Sequence, residues 1–171
     1  MKPHLCLICC ILVLICLCGC MQTQLTTEYV NDQLGVGLDP PENWVALNLT
    51  TAPWVMSWYP SLEGNVSLMM SSPYRLDEGL ALSVFADDIE ETFSEKYMNF
   101  SVVSRDWLTV DGMTAYQIEY QYVDNMTSIL EKQVAIKRNR DVYIMRYSAS
   151  ETEYNVFIDE VNESIQSFRV K

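Results

Sequence analysis

The sequence predicts an α+β fold, in which a central antiparallel β-sheet is flanked by helices. Apolar and polar residues alternate with period two along four strand-length segments in the second half of the chain. Two turns, Asp111-Gly112 and residues 137–141, join these segments into two hairpins. One amphipathic helix pattern precedes the hairpins and another follows them, and their apolar faces are expected to cover the sheet.

The first half of the chain combines short strands with one helix. Its predicted strands are short apolar runs at residues 36–39, 44–47, 54–59 and 66–71. Pro40 and Pro41 end the first of them, because proline has no backbone donor for a sheet. Residues 80–97 predict a helix, since apolar side chains recur at steps of three and four. Asp77 is the predicted N-cap of this helix.

The second half supplies the long strands and the last helix. The hairpin strands are predicted at residues 102–110, 113–123, 128–136 and 142–148. A C-terminal helix follows at residues 152–164, and Phe168 and Val170 close the chain as a short strand or strap. The side chains expected to point inward are Phe85, Ile89, Phe93, Ile118, Tyr120, Ile144, Phe157 and Val161.

The N-terminus has the features of an export signal. Lys2 is followed by an unbroken apolar run of 14 residues at positions 5–18, shorter than the ~20 residues of a membrane span. Leu17-Cys18-Gly19-Cys20 resembles the lipobox of prokaryotic lipoproteins, so Cys20 is the expected lipid-attachment site. The alternatives are an uncleaved anchor at residues 5–21 and plain secretion. We therefore divide the chain into a signal segment (1–20), a tether (21–29) and one domain (30–171), lipid-anchored on the outer face of the cell membrane.

The placement of cysteine and histidine restricts the chemistry of the domain. All six cysteines lie within the first 20 residues, and the only histidine is His4. The domain therefore has no disulfide, no thiolate nucleophile and no imidazole, which excludes a Ser-His-Asp triad and the usual zinc sites. The sequence also contains no glycine-rich phosphate loop. We predict no catalytic residue, no metal ligand and no cofactor.

Charge and glycosylation motifs bear on partners and location. The net charge of -12 disfavours nucleic-acid binding, because phosphates would be repelled. The chain has five Asn-x-Ser/Thr sequons, more than chance predicts, so surface glycosylation is expected unless polar turn residues merely cluster. Beside a lipobox, such an excess points to an archaeon more than to a bacterium. The sequons are at Asn48, Asn65, Asn99, Asn125 and Asn162.

Two groups of side chains are candidate ligand sites. Trp54 and Trp58 alternate on one strand and Tyr59 follows, which is typical of core packing but also compatible with an aromatic groove for an apolar or sugar ligand. Four carboxylates cluster on the first helix, where they predict a solvated face, with loose cation binding or acid–base catalysis as alternatives. These carboxylates are Asp87, Asp88, Glu90 and Glu91.

Three segments carry a resemblance to a known family. Gly35-Val36-Gly37-Leu38 leads into Pro41-Glu42-Asn43-Trp44, Val110-Asp111-Gly112 opens a hairpin, and Ser167-Phe168 precedes the C-terminus. Together these segments resemble PsbP-like domains over residues 27–170. Asn43 stands where that family has glycine, and asparagine also tolerates a positive φ. The resemblance implies a PsbP-like α/β/α sandwich and a family of extrinsic, often membrane-tethered accessory proteins without a shared catalytic motif.

Three functions follow from these observations. The favoured one is a membrane-tethered, surface-exposed, non-catalytic binding or accessory domain that acts through an unidentified protein partner. The second is a small-ligand or carbohydrate binder that uses the tryptophan cluster. The third is a carboxylate-dependent hydrolase, which would require a pair of buried carboxylates in a cleft.

Overall fold

The computed structural model describes residues 28–171, which form eleven strands and two helices. The predicted signal segment, the lipid-attachment site at Cys20 and most of the tether lie outside the described residues. Among residues 28–171, none of the helices has the length and apolar character needed to cross a membrane.

A small three-stranded sheet joins the two ends of the described chain. It consists of β1 (Tyr29–Asn31), β2 (Val36–Leu38) and β11 (Arg169–Val170), with β2 in the centre and both pairings antiparallel. Gly37 allows a close approach of β1 and β2, because a Cβ there would lie 3.2 Å from the Tyr29 carbonyl oxygen and would require a small shift of the neighbouring strand. The predicted closing segment forms a strand at Arg169–Val170, and Phe168 lies immediately before it.

A large antiparallel sheet of eight strands forms the centre of the molecule. The short strand β6 (Tyr74–Arg75) pairs with one end of β10. The other seven follow one another across the sheet in the order β3 (Val45–Asn48), β4 (Trp54–Tyr59), β5 (Ser67–Ser71), β10 (Asp141–Ser150), β9 (Thr127–Arg138), β8 (Met113–Asp124) and β7 (Met98–Val110).

Three two-residue turns connect the four long strands. Asp111 and Gly112 both have positive φ, as a type I′ hairpin turn requires, which confirms that predicted turn. Asn125 and Met126 make a second such turn, which the sequence did not reveal because methionine rarely adopts positive φ. The third turn is shorter than predicted, because β9 and β10 extend to Arg138 and Asp141.

The two helices are α1 (Val84–Lys96) and α2 (Glu151–Gln166). Helix α1 begins four residues later than predicted, and Ser83 rather than Asp77 is its N-cap. Gly79 has a φ of 86°, so the chain turns between Asp77 and the helix and cannot continue as one helical segment. Asn43 has a φ of 64°, the conformation that its replacement of a family glycine implied.

The core is divided between the two faces of the large sheet. One face packs against α1, and the core between them includes Phe85 and Ile89 of the helix and Ile118 and Tyr120 of the sheet. Phe93 and Ile144 border this core and are only partly buried. The opposite face packs against α2 and the small sheet through a second set of side chains, including Trp58, Met145, Val161 and Phe168, with Phe157 partly buried beside them. The chain is thus mostly antiparallel sheet with two helices, richer in strand than the predicted sandwich, because part of the cover on the α2 face is itself a sheet.

Candidate functional site

An ion pair lies buried between α1 and the large sheet. The Glu131 side chain on β9 is 0% exposed, and the Arg146 guanidinium on β10 donates two hydrogen bonds of 2.6 Å to its two carboxylate oxygens. Both residues lie on the α1 face, because each is two residues from an isoleucine on that face of its own strand, Ile129 and Ile144. This bidentate geometry is the strongest form of arginine–carboxylate contact.

Three neutral donors complete the contacts of the Glu131 carboxylate. The Tyr120 and Tyr122 hydroxyls each donate to one of its oxygens, the latter at 2.9 Å, and Gln133 Nε2 donates at 3.0 Å. Burial and the nearby carboxylate raise the pKa of both phenols, which therefore stay protonated. Burial lowers the pKa of Arg146, but the attraction of Glu131 outweighs it and the net pKa is raised, so the guanidinium stays charged. We call these five residues the Glu131 network.

Aromatic rings cover the Glu131 network on the α1 side. The Phe93 ring meets Tyr120 and Tyr122 edge-on, with ring centroids 5.2 and 5.8 Å apart. The Tyr97 ring is tilted by 35° against Tyr122 with centroids 4.3 Å apart, and the Phe100 ring centroid lies 5.6 Å from that of Tyr120. These rings limit the access of water, and electrostatic contacts within the network are strengthened accordingly.

The chemistry available to the Glu131 network is limited. Acid–base hydrolysis generally uses two carboxylates whose environments differ, and Glu131 is the one buried acidic side chain among the described residues. Both of its oxygens accept hydrogen bonds from the surrounding side chains. Within the same part of the chain, no group of three or more Asp, Glu, His or Cys residues lies close enough to hold a metal ion. The network is therefore suited to holding a fixed polar surface.

A cleft opens beside the Glu131 network, between α1 and the part of the large sheet that includes the short strand β6. This open cleft has a volume of about 500 Å³ and is lined mainly by apolar side chains of α1 and its approach segment, such as Phe85, Ile89 and Phe93. Gln133 belongs both to the cleft wall and to the network. Volumes of this size are typical of small-molecule sites. We call this feature the α1 cleft.

The edge strand β7 carries a second exposed feature. It has 13 residues, pairs with β8 on one side and is the last strand of its sheet. Val103 and Trp107 are 53% and 58% exposed, and the Trp107 ring rests on Tyr116 with centroids 4.6 Å apart. A long edge strand with exposed apolar side chains is a surface that proteins normally protect, unless another chain pairs with it.

The predicted aromatic groove is not assembled as the sequence suggested. Trp58 is 1% exposed and packs edge-on against Tyr29 in the α2-side core, so its ring cannot stack on a ligand. A register shift between Trp54 and Met56 breaks the expected alternation. The partly exposed Trp54 ring instead lies 5.8 Å from the Arg146 guanidinium, and Tyr59 is also partly exposed.

The five sequons lie in different environments. Four of their asparagines are exposed and stay predicted glycosylation sites: Asn48, Asn65, Asn99 and Asn125. Asn162 is partly buried, and its amide oxygen accepts a 2.8 Å hydrogen bond from the Lys132 ammonium on β9. Lys132 also pairs with Glu119 at 3.1 Å, so Asn162 belongs to a polar contact between α2 and the sheet.

The four α1 carboxylates are exposed, as a solvated helix face requires. Asp87 and Glu90 pair with Arg105 of β7, and Asp88 borders the α1 cleft. Sequence reasoning missed the Glu131 network. Its available signal was a glutamate and an arginine at strand positions that follow an apolar residue two positions earlier, Ile129 and Ile144.

Comparisons with known proteins agree with this architecture. A protein-family model described as DcrB matches residues 66–167, more than half of the chain, including α1 and all four long strands. No curated protein matches the chain in sequence.

Three solved structures share the fold at low sequence identity. The solution structure of cyanobacterial PsbP (CyanoP) from Synechocystis sp. PCC 6803 has a TM-score of 0.64 and 14% identity, covering 90% of this chain and 97% of that one. LpqN of Mycobacterium tuberculosis, described as involved in cell envelope biogenesis, has a TM-score of 0.60 and 14% identity, covering 80% and 83%. PA94 of Pseudomonas aeruginosa, a putative regulator, has a TM-score of 0.56 and 15% identity, covering 85% and 96%. The fold is therefore PsbP-like.

Proposed function

This chain belongs to the DcrB family. From that premise we propose that it is a non-catalytic accessory domain that acts by binding a protein partner. We propose also that Cys20 tethers the domain to the outer face of the cell membrane. The fold it shares with LpqN, an envelope-biogenesis protein, supports a location in the cell envelope. The export signal at residues 1–20 supports the same location.

The absence of catalysis is part of this proposal. Both oxygens of the Glu131 carboxylate are occupied by hydrogen bonds from Arg146 and three neutral donors, which does not favour contact with a substrate. Residues 28–171 also contain no histidine and no cysteine. The net charge of -12 supports a protein partner over a nucleic acid.

The observation that carries the proposal is the exposed edge of β7. A partner that adds an extended segment beside β7 would satisfy its free backbone groups, and Trp107 would supply an aromatic anchor. Val103 lies at a register shift between β7 and β8, which displaces it from the regular pairing and leaves it exposed.

Site-specific photo-crosslinking tests this edge. A photoreactive residue placed at Val103 is expected to crosslink one partner in intact cells, and the Trp107→Ser substitution is expected to abolish that adduct. The matched control is Val156 on α2, an exposed valine on another surface. An adduct formed equally from both positions, or one insensitive to Trp107→Ser, would show that β7 is not the partner surface.

The membrane tether needs a separate experiment. Substituting Cys20→Ser should release the protein from membranes or stall its processing, whereas Cys18→Ser should leave both unchanged. If the Cys20→Ser protein stays membrane-bound with unchanged mobility, the uncleaved anchor at residues 5–21 is the correct interpretation.

A second function, small-ligand binding, is favoured by the α1 cleft. The tryptophan groove proposed from the sequence cannot use Trp58, whereas the cleft combines apolar walls with the amide of Gln133.

A further inference from the structure

The α1 cleft is a candidate ligand-binding site in its own right, and it does not depend on the partner proposed for β7. Its walls are formed largely by apolar side chains of α1 and of the strands opposite, including Phe93 and Ile144. A cleft of about 500 Å³ with such walls favours a ligand that has an apolar body. The polar groups of the cleft then determine which head group the ligand carries.

Gln133, on the inner wall of the α1 cleft, has a side-chain oxygen that can accept a hydrogen bond. Gln133 Nε2 donates to Glu131 Oε1 at 3.0 Å and to the Tyr120 hydroxyl at 2.5 Å. An ionised carboxylate can only accept, so the amide nitrogen must face Glu131 and the orientation of the Gln133 amide is determined. Gln133 Oε1 makes no hydrogen bond with the described residues and is free to accept one from a molecule in the cleft.

Hydrogen-bond donors of the Glu131 network are already bonded to the Glu131 carboxylate. The Tyr120 and Tyr122 hydroxyl protons are directed to Glu131, and the Arg146 guanidinium forms its two short bonds with the same carboxylate. An anionic head group at this wall would therefore meet the Gln133 Oε1 acceptor, while the Tyr120, Tyr122 and Gln133 donors are already engaged within the network. Such an unmatched buried contact is unfavourable.

The mouth of the cleft is predominantly acidic. Asp77 and Asp88 both border it. Asp88 lies near enough to Tyr74 that its charge, in addition to burial, raises the pKa of that phenol. Arg75 also borders the cleft, so the rim carries two carboxylates and one guanidinium. The rim thus attracts a cation rather than an anion.

We propose that the α1 cleft binds a small amphiphile with an apolar body and an ammonium or other hydrogen-bond-donating head, and that it rejects amphiphiles with a carboxylate head. The head lies between the Asp88 carboxylate and Gln133 Oε1, and the apolar body lies against Phe85, Ile89 and Phe93 of α1.

Photolabelling of the full chain in neutral-lipid nanodiscs tests this assignment. The probes are an alkylamine that carries a diazirine and the alkyl carboxylate of the same length. We expect the amine to label α1 and the facing strands about tenfold more than the carboxylate does, the effect of roughly one hydrogen bond to a charged group. Peptide mapping by mass spectrometry locates the adducts.

Two pairs of variants on α1 make the test specific. Thr92→Trp fills the cleft mouth from an exposed position and should abolish cleft labelling, whereas Ser94→Trp on the same helix should not. Asp88→Asn should reduce labelling by the amine about two- to fivefold, as expected for an exposed charge. Glu91→Gln, which removes an exposed charge away from the cleft, should leave it unchanged.

The outcomes that would overturn the proposal are distinct. Labelling spread evenly over the surface would exclude the cleft as a site. Equal labelling by the amine and the carboxylate would exclude the proposed head group. Equal loss in Thr92→Trp and Ser94→Trp would show that the label depends on the helix and not on the cleft. None of these results affects the β7 crosslink, so the two proposals fail independently.

Discussion

Removing Arg146 should destabilise the domain far more than removing an arginine of similar exposure elsewhere. The side chains of Arg146 and Arg105 are 25% and 27% exposed, but their partners differ. Glu131 is 0% exposed, whereas Asp87 and Glu90, the partners of Arg105, are 63% and 52% exposed. Loss of Arg105 leaves carboxylates in water, while loss of Arg146 leaves a buried charge without its counterion.

The structure sets the size of both effects. Arg146→Met should lower the free energy of unfolding by about 3–5 kcal/mol, the cost of breaking a buried pair by removing one partner. For a domain of this size that loss corresponds to a fall in Tm of about 10–15 °C. The matched control, Arg105→Met, should cost no more than about 1 kcal/mol, as is typical of exposed pairs.

A double-mutant cycle separates charge pairing from packing. Urea unfolding of residues 28–171, followed by circular dichroism, gives the free energy of each variant. In a Glu131→Gln background, Arg146→Met should cost only about 1 kcal/mol, so the coupling energy should be at least about 2 kcal/mol. If Arg146→Met costs the same in both backgrounds, the arginine acts through its aliphatic packing and the ion-pair argument is wrong.

Three further predictions address the core and the bound chemistry. Phe93→Ala should cost about 2–3 kcal/mol in urea unfolding, below the range for a fully buried ring, because Phe93 is partly exposed; a loss below about 1 kcal/mol would contradict its aromatic contacts. Burial raises the pKa of Tyr120, Tyr122 and Tyr154 above the ordinary value of 10.0. The folded state therefore retains these protons more tightly, and stability that is complete below pH 10 should fall as the pH rises further. A near-ultraviolet titration in which these phenols ionise before the fold is lost would refute this. Finally, EDTA and reducing agents should leave the Tm of residues 28–171 unchanged, since this segment has no cysteine or histidine; a drop with EDTA alone would reveal a carboxylate-bound cation.

Local sequence patterns predicted most of the strands, helices and turns because the conformation of each depends on residues close in sequence. The Asp111-Gly112 turn was identifiable because few dipeptides accept two positive φ values. The period-two segments were identifiable as strands because one face of each is buried. The beginning of α1 was misplaced because Leu80 and Leu82 fit the apolar spacing of the helix, although the helix itself begins only at Val84.

The candidate sites were harder to predict because they depend on which strands are neighbours. Trp54 and Trp58 form a plausible ligand face in the sequence, but Trp58 faces a core completed by the small sheet. Glu131 and Arg146 are 15 residues apart and become partners only through the register of β9 and β10. Their depth follows from the packing of α1 over that face.

The sequence by itself determined the strand-rich α+β class, the acidic charge, and a domain without thiol or imidazole chemistry, because composition and short-range periodicity are properties of the chain alone. Only the tertiary structure decided that the tryptophan cluster is largely core, that Glu131 is buried with Arg146, and that a cleft lies beside α1. The physical reason is that a side chain becomes buried only when two surfaces of the protein pack together. A side chain is enclosed or exposed according to what packs against it, and residues distant in sequence supply that cover.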